Sequence, residues 1–184
     1  MPMVTENITE SIFRHLFPED EGNLFAILDG ASIDDLLDNL YSLQPEFECL
    51  YRGDLEPDMA KVAPYLVKLD AESEFTDWLV RQGWGCHFGI FAVSASDMRA
   101  IRGHLRSILT VYDVAGTPLL FRYYDPRVLR LYLPTCNEEE LATVFGPVDS
   151  YLMEGKTADT MLSFRLKGGV LDQGNIDLRG KLVE

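Results

Sequence analysis

The sequence predicts a mixed α/β domain, a central mixed sheet with flanking helices. Three observations carry that prediction. Leu24-Phe25-Ala26-Ile27-Leu28 is an unbroken apolar run, the pattern of a strand buried on both faces, and it passes through Asp29-Gly30 into a helical pattern. Met98, Ile101, Leu105 and Ile108 recur at the spacing of one helix face. Phe121-Arg122-Tyr123-Tyr124-Asp125-Pro126-Arg127-Val128-Leu129 reads as a tyrosine-rich strand that stops at Asp-Pro, because proline fixes its own φ and biases the residue before it away from the α region. Strands alternating with helices in this way build layers around a sheet.

Taken in order, Thr5 caps a first helix with Ile8, Ile12, Phe13 and Leu16 on one face. Pro18 and the acidic cluster Glu19-Asp20-Glu21-Gly22 end it. After the first strand, Ser32 opens a helix that turns Ile33, Leu36, Leu37, Leu40 and Tyr41 inward. Residues 47–51 form a short strand and residues 52–58 a polar loop. Residues 64–69 form a strand with proline first, where a missing N–H is tolerated. Residues 75–82 are a short helix stopped by Gly83, and residues 87–93 are a strand.

Ser94 or Ser96 caps the helix that carries Met98 to Ile108. Residues 110–114 and 119–124 flank Ala115-Gly116-Thr117-Pro118 as a β-hairpin. Val128, Leu129, Leu131 and Tyr132 continue helically to Pro134. Asn137 with Glu140 three residues on is a capping-box pattern, opening a helix through Phe145 that Gly146-Pro147 ends. The last strands are 148–153 and 161–167. One domain is expected over residues 1–167, with residues 168–184, rich in Gly, Asp, Asn and Gln, as a loose tail.

The 184 residues are 47% hydrophobic, enough for a sizeable core. A charged fraction of 25% argues against wholesale disorder. The net charge of −14 is uneven: residues 1–90 hold 5 basic and 18 acidic side chains, residues 91–184 hold 11 and 12. The front half repels nucleic acid and anionic membranes, and the polarity can steer a charged partner. Three scattered cysteines, Cys49, Cys86 and Cys136, fit neither a disulfide framework nor a paired-cysteine metal site. The N-terminus has no basic-then-apolar leader pattern, and no apolar run reaches membrane-spanning length. A cytoplasmic, reduced protein without membrane insertion is expected.

The catalytic inventory is thin. The nucleophile-elbow, zincin, P-loop and dinucleotide-binding patterns are all missing. His15, His87 and His104 share no metal spacing, and Cys86-His87 on a strand would point to opposite faces. Asp34, Asp35 and Asp38 read as a solvated helix face. No catalytic residue, metal ligand or cofactor is assigned. An enzyme built from scattered acids with His87 or His104 is the alternative, as is a protein that masks a toxin.

The arginines are better placed. Arg99, Arg102, Arg106, Arg122, Arg127 and Arg130 fall between positions 99 and 130, and arginine is favoured at protein interfaces for its bidentate and stacking contacts. Arg99, Arg102, Arg106, Arg127 and Arg130 are the candidate partner-binding residues. The plainer reading is that Arg122 pairs with Asp125 to brace the corner while the helix arginines form a solvated face.

Leu24 to Ala31, Tyr51-Arg52-Gly53, Ala63-Pro64-Tyr65-Leu66-Val67, His104-Leu105-Arg106, Leu120 to Val128 and Phe145-Gly146-Pro147 occur in an order that resembles the family called domain of unknown function 4123. The resemblance covers residues 24 to about 150. It marks Arg122, Tyr124, Asp125, Pro126, Phe145, Gly146 and Pro147 as the structural motif. It implies an adaptor, also called a chaperone, of the bacterial type VI secretion system. Such an adaptor binds a toxic effector protein and helps load it onto the VgrG spike by surface recognition, without catalysis. Many relatives continue into a longer C-terminal helical region, whereas this chain ends at Glu184, which implies a reduced surface or a narrower partner set.

Overall fold

The computed structural model describes residues 5–18 and 22–180. The first strand lies at the middle of the architecture. β1 (Asn23–Asp29) is buried from Leu24 onward and pairs antiparallel with β3 (Pro64–Leu69) on one side and β4 (Gly89–Ser94) on the other. β2 (Phe47–Cys49), β7 (Ser150–Glu154), β8 (Thr160–Lys167) and β9 (Val170–Asp177) complete a seven-stranded sheet in the order β2-β3-β1-β4-β7-β8-β9. Every pairing in it is antiparallel. The mixed α/β class therefore holds, and what is mixed is the layering, not the strand direction. A separate hairpin joins β5 (Thr110–Tyr112) to β6 (Pro118–Leu120).

The side-chain period of a strand splits β1 between two cores. Leu24, Ala26 and Leu28 enter one core with Ile12 and Leu16 of α1 (Glu6–Leu16), Leu36 and Leu40 of α2 (Leu36–Leu43), and Phe75 of α4 (Glu74–Trp78). Phe25 and Ile27 enter the other with Ile101 and Leu105 of α5 (Met98–Ser107), Leu129 of α6 (Pro126–Tyr132) and Leu141 of α7 (Glu138–Phe145). Helices thus cover both faces of the sheet. Each fully buried aliphatic or aromatic side chain contributes about 1.5–3 kcal/mol.

Local chemistry shifts several expected boundaries. Residues 30–32 form a 3-10 turn, because the Asp29 carboxylate accepts from Ala31 N (3.2 Å) and Ser32 Oγ (2.8 Å); α2 therefore starts at Leu36, with Asp35 at its cap position. Tyr41 and Leu131 point outward, each 67% exposed. The expected polar loop over residues 52–58 gives way at its end to α3 (Pro57–Val62), which opens on a proline at its first turn, where the missing N–H costs nothing. Asp97, not Ser94 or Ser96, caps α5 by accepting from Ala100 N at 2.8 Å; Ser94 Oγ instead donates to Pro147 O. The capping box of Asn137 and Glu140 forms as expected.

Two larger corrections matter. β6 ends at Leu120, so Tyr123 and Tyr124 lie not on a strand but in the turn before α6, both buried. Residues 170–177 are not a loose tail. Gly168 and Gly169, at φ +57° and +81°, make a two-residue hairpin turn, and β9 then pairs with β8 over its whole length. As an edge strand it keeps alternate positions polar and wet, which reads like a tail in composition alone. The acidic residues Glu19, Asp20 and Glu21, and residues 181–184, lie outside the described residues.

Candidate functional site

One end of the sheet gathers the polar residues. Because neighbours of β1 run against it, the end of β1, the start of β4 and the end of β7 meet there. The Asp29 carboxylate, 1% exposed, receives the guanidinium of Arg122, so Arg122 pairs with Asp29 and not with Asp125 as expected. The hydrogen bond that Arg122 donates to this buried carboxylate raises the arginine's pKa above its ordinary value. The same guanidinium lies 6.0 Å from the centre of the Tyr124 ring.

Asp125 caps α6. Its Oδ1 accepts from Arg127 N (2.9 Å) and Nε (3.0 Å), and its Oδ2 accepts from Arg127 Nη2 (2.8 Å). Burial alone would push this carboxyl up; the side-chain and backbone donors of Arg127 outweigh it and hold the carboxyl below its usual range. Pro126 occupies the first helical position, where its fixed φ suits the helix. Burial, with Tyr51 and Asp29 nearby, raises the Tyr124 phenol above its ordinary value.

Beside this cluster the buried carboxylate of Glu154 accepts from Gly85 N (2.6 Å), His87 N (3.1 Å) and the His87 ring. His87 is therefore not on a strand. It sits in the preceding turn at φ +61°. The crevice next to Glu154 measures about 10 Å³, room for no more than one water. His104, the other histidine of interest, contacts Val144 O through Nε2 (3.0 Å) and lies against Gly146. At φ +48° and ψ −117°, Gly146 adopts a conformation other residues avoid, and a Cβ there would run into the His104 ring. That is the reason for the glycine of Phe145-Gly146-Pro147.

The arginine helix is a clamp. Arg106 donates to Leu50 O (3.1 Å), Cys49 O (2.9 Å) and Tyr51 O (2.7 Å), and burial lowers its pKa. Arg102 donates to Cys49 O at 3.4 Å and pairs with Glu48 at 3.0 Å. Together they fasten α5 to the β2 edge. Arg130 donates to Gly155 O, and Arg127 is held by Asp125. Of the five candidate partner-binding arginines, Arg99 alone is exposed and makes no ion pair among the described residues.

The sequence reading placed a β-hairpin here, and missed the apolar surface it leaves in water. Val111, Tyr112, Val114, Leu119 and Leu120 are all exposed on β5, β6 and their loop. The tip is held by Asp113 Oδ1, which accepts from Ala115 N and Thr117 N, each at 2.8 Å. The signal was present: two three-residue strands carry large apolar residues on both faces, more than a two-stranded ribbon can bury. Among the described residues no group of three or more His, Cys, Asp and Glu side chains is placed to hold a metal, and no helix is long and apolar enough to cross a membrane.

No curated protein and no solved structure matches the chain. The model of one family, described as domain of unknown function (DUF4123), matches residues 24–143, from β1 into α7. The matched stretch holds Asp29, Arg122, Tyr124, Asp125, the α5 clamp and the exposed hairpin, and by that match the chain belongs to the DUF4123 family.

Proposed function

We propose that this protein is an adaptor of a bacterial type VI secretion system, working in the cytoplasm, that binds an effector and helps load it onto the VgrG spike by surface recognition without catalysis. The observation that carries the reading is the exposed apolar hairpin. Five large hydrophobic side chains stand in water on one short ribbon, and a patch of that kind on a small domain marks a surface awaiting a protein. The polar end of the sheet supports the same reading: Asp29, Asp125 and Glu154 are each satisfied by internal donors, which fits bracing of the scaffold. The alternative, an enzyme of scattered acids and a histidine, has Glu154 with His87 as its geometric candidate, where the carboxylate already accepts from Gly85 N, His87 N and the His87 ring.

The test is delivery. Cells lacking this chain are expected to stop exporting the effector encoded with it, and the chain is expected to co-purify with both effector and spike when the three are expressed together. Wild-type export without the chain overturns the adaptor reading.

A further inference from the structure

The hairpin does not stand in isolation; it walls a groove. Val111 pairs with Leu119, and Phe121 N donates to Leu109 O at 2.8 Å, so Leu109, Val111, Leu119 and Phe121 share one face of the ribbon. Across from Val111 and Phe121 of that face lies α7. Between them is an open groove of about 310 Å³ whose apolar lining includes Ile108, Val111, Phe121, Tyr132 and Val144. The Phe121 and Tyr132 rings meet edge to face at 4.8 Å between centroids, which keeps this lining in place. The volume takes about two large aliphatic side chains at interior packing density.

The rim is acidic. Glu139 and Glu140, in the first turn of α7, border the groove. Glu140 is occupied by the capping box, accepting from Asn137 N at 2.8 Å. Glu139 is exposed and makes no ion pair among the described residues. No arginine or lysine lines the groove.

We propose that this groove is a docking site for a basic amphipathic segment of a partner protein. One or two large apolar side chains enter between hairpin and α7, and a lysine or arginine beside them meets Glu139. Charge selects this occupant. An acidic rim on a chain of net charge −14 repels anionic lipid, and it repels a second copy of itself. A basic segment gains from both the rim and the overall field. The inference rests on the adaptor reading and adds the surface used and the chemistry it takes.

The experiment uses the full chain and two synthetic amphipathic peptides, one of leucine and lysine, the other with glutamate in place of every lysine. Binding is read by fluorescence anisotropy, with circular dichroism as the folding control. The leucine–lysine peptide is expected to bind, and Val111→Asp to weaken it by at least about tenfold. Glu139→Lys is expected to weaken the leucine–lysine peptide and strengthen the leucine–glutamate one, the reversal that a charge-selected site requires. Lys61→Ala, on α3 and outside the groove lining, leaves both unchanged. The inference falls if the folded variants bind both peptides like the parent, or if the parent prefers the glutamate peptide. It also falls if sedimentation shows a parental dimer that Val111→Asp dissociates, since the occupant is then a second copy. Should Val111→Asp fail to fold, the Glu139→Lys reversal still decides. In cells, an adaptor that is required for export yet works normally with both substitutions sinks the groove and leaves the adaptor reading standing; export without the chain sinks the adaptor reading itself.

Discussion

Asp29 and Arg122 form an ion pair across 93 positions of chain, tying the end of β1 to the segment that leads into α6. The carboxylate is 1% exposed and the guanidinium side chain 44% exposed, so the two partners are unequal. Arg122→Ala leaves a buried carboxylate without its cation. Its expected cost is about 2–3 kcal/mol, below that of a fully buried pair because water reaches the Arg122 side. Arg127→Ala is expected to cost about 1 kcal/mol or less, because Asp125 keeps the backbone N–H of residue 127. Urea denaturation of the two variants checks the order, and an equal or reversed ranking removes the bracing role of Arg122.

Asp125 makes stability depend on acid. Its carboxyl is held below the ordinary value in the folded chain, so the stabilisation is fully present above the unfolded value of about 3.9 and is lost as pH falls through the folded one. Asp125→Asn keeps a capping side chain and gives up the charge. Its deficit against the parent is expected to be about 1–3 kcal/mol at neutral pH and to close below about pH 4. Denaturant melts at a series of pH values measure that gap; a gap independent of pH shows that the charge is irrelevant.

The arginines of α5 are expected to separate sharply. Arg106→Ala removes the side-chain donor of Leu50 O and Tyr51 O and one of the two at Cys49 O, and should cost about 1–3 kcal/mol. Arg99→Ala removes an exposed side chain and should stay within about 0.5 kcal/mol. A combined Arg99, Arg102 and Arg106 variant therefore loses fold stability as well as charge, and a binding defect in it says nothing about a basic interface. Thermal melts of the single variants decide the point.

Gly146 and His104 are expected to couple. Gly146→Ala forces a Cβ into the imidazole and an L residue into a glycine conformation. His104→Ala in the same chain clears the clash but not the backbone strain. The double variant should be less unstable than the two single losses added together, by about 0.5–3 kcal/mol. Strict additivity in a double-mutant cycle means the ring and the glycine do not interact.

The central strand and the capping box were legible because their causes are local. Five consecutive apolar residues can only be a strand with two dry faces here, and Asn137 meets Glu140 within one turn. The Asp29–Arg122 pair and the Glu154–His87 pair were not legible, because their members are far apart in sequence and meet only when antiparallel strands align. Asp125 invited the wrong partner: Arg122 lies three positions before it and Arg127 two after, and the helix start at Pro126 decides which of them the carboxylate faces. The arginine stripe of α5 was visible as a stripe, but nothing local reveals that the β2 edge offers it three carbonyls.

The match to the family stops at residue 143, yet the second core does not. Tyr151 and Met153 of β7 and Phe164 of β8 are fully buried among the side chains of α5, α6 and α7, and Phe145 and Tyr151 stack edge to face at 5.2 Å. Cutting the chain where the match ends would uncover one flank of β4 and leave Tyr123 and Leu105 beside a gap. The stretch the family match covers is thus smaller than the unit that folds, and the three-strand meander after α7 closes the second core from outside it.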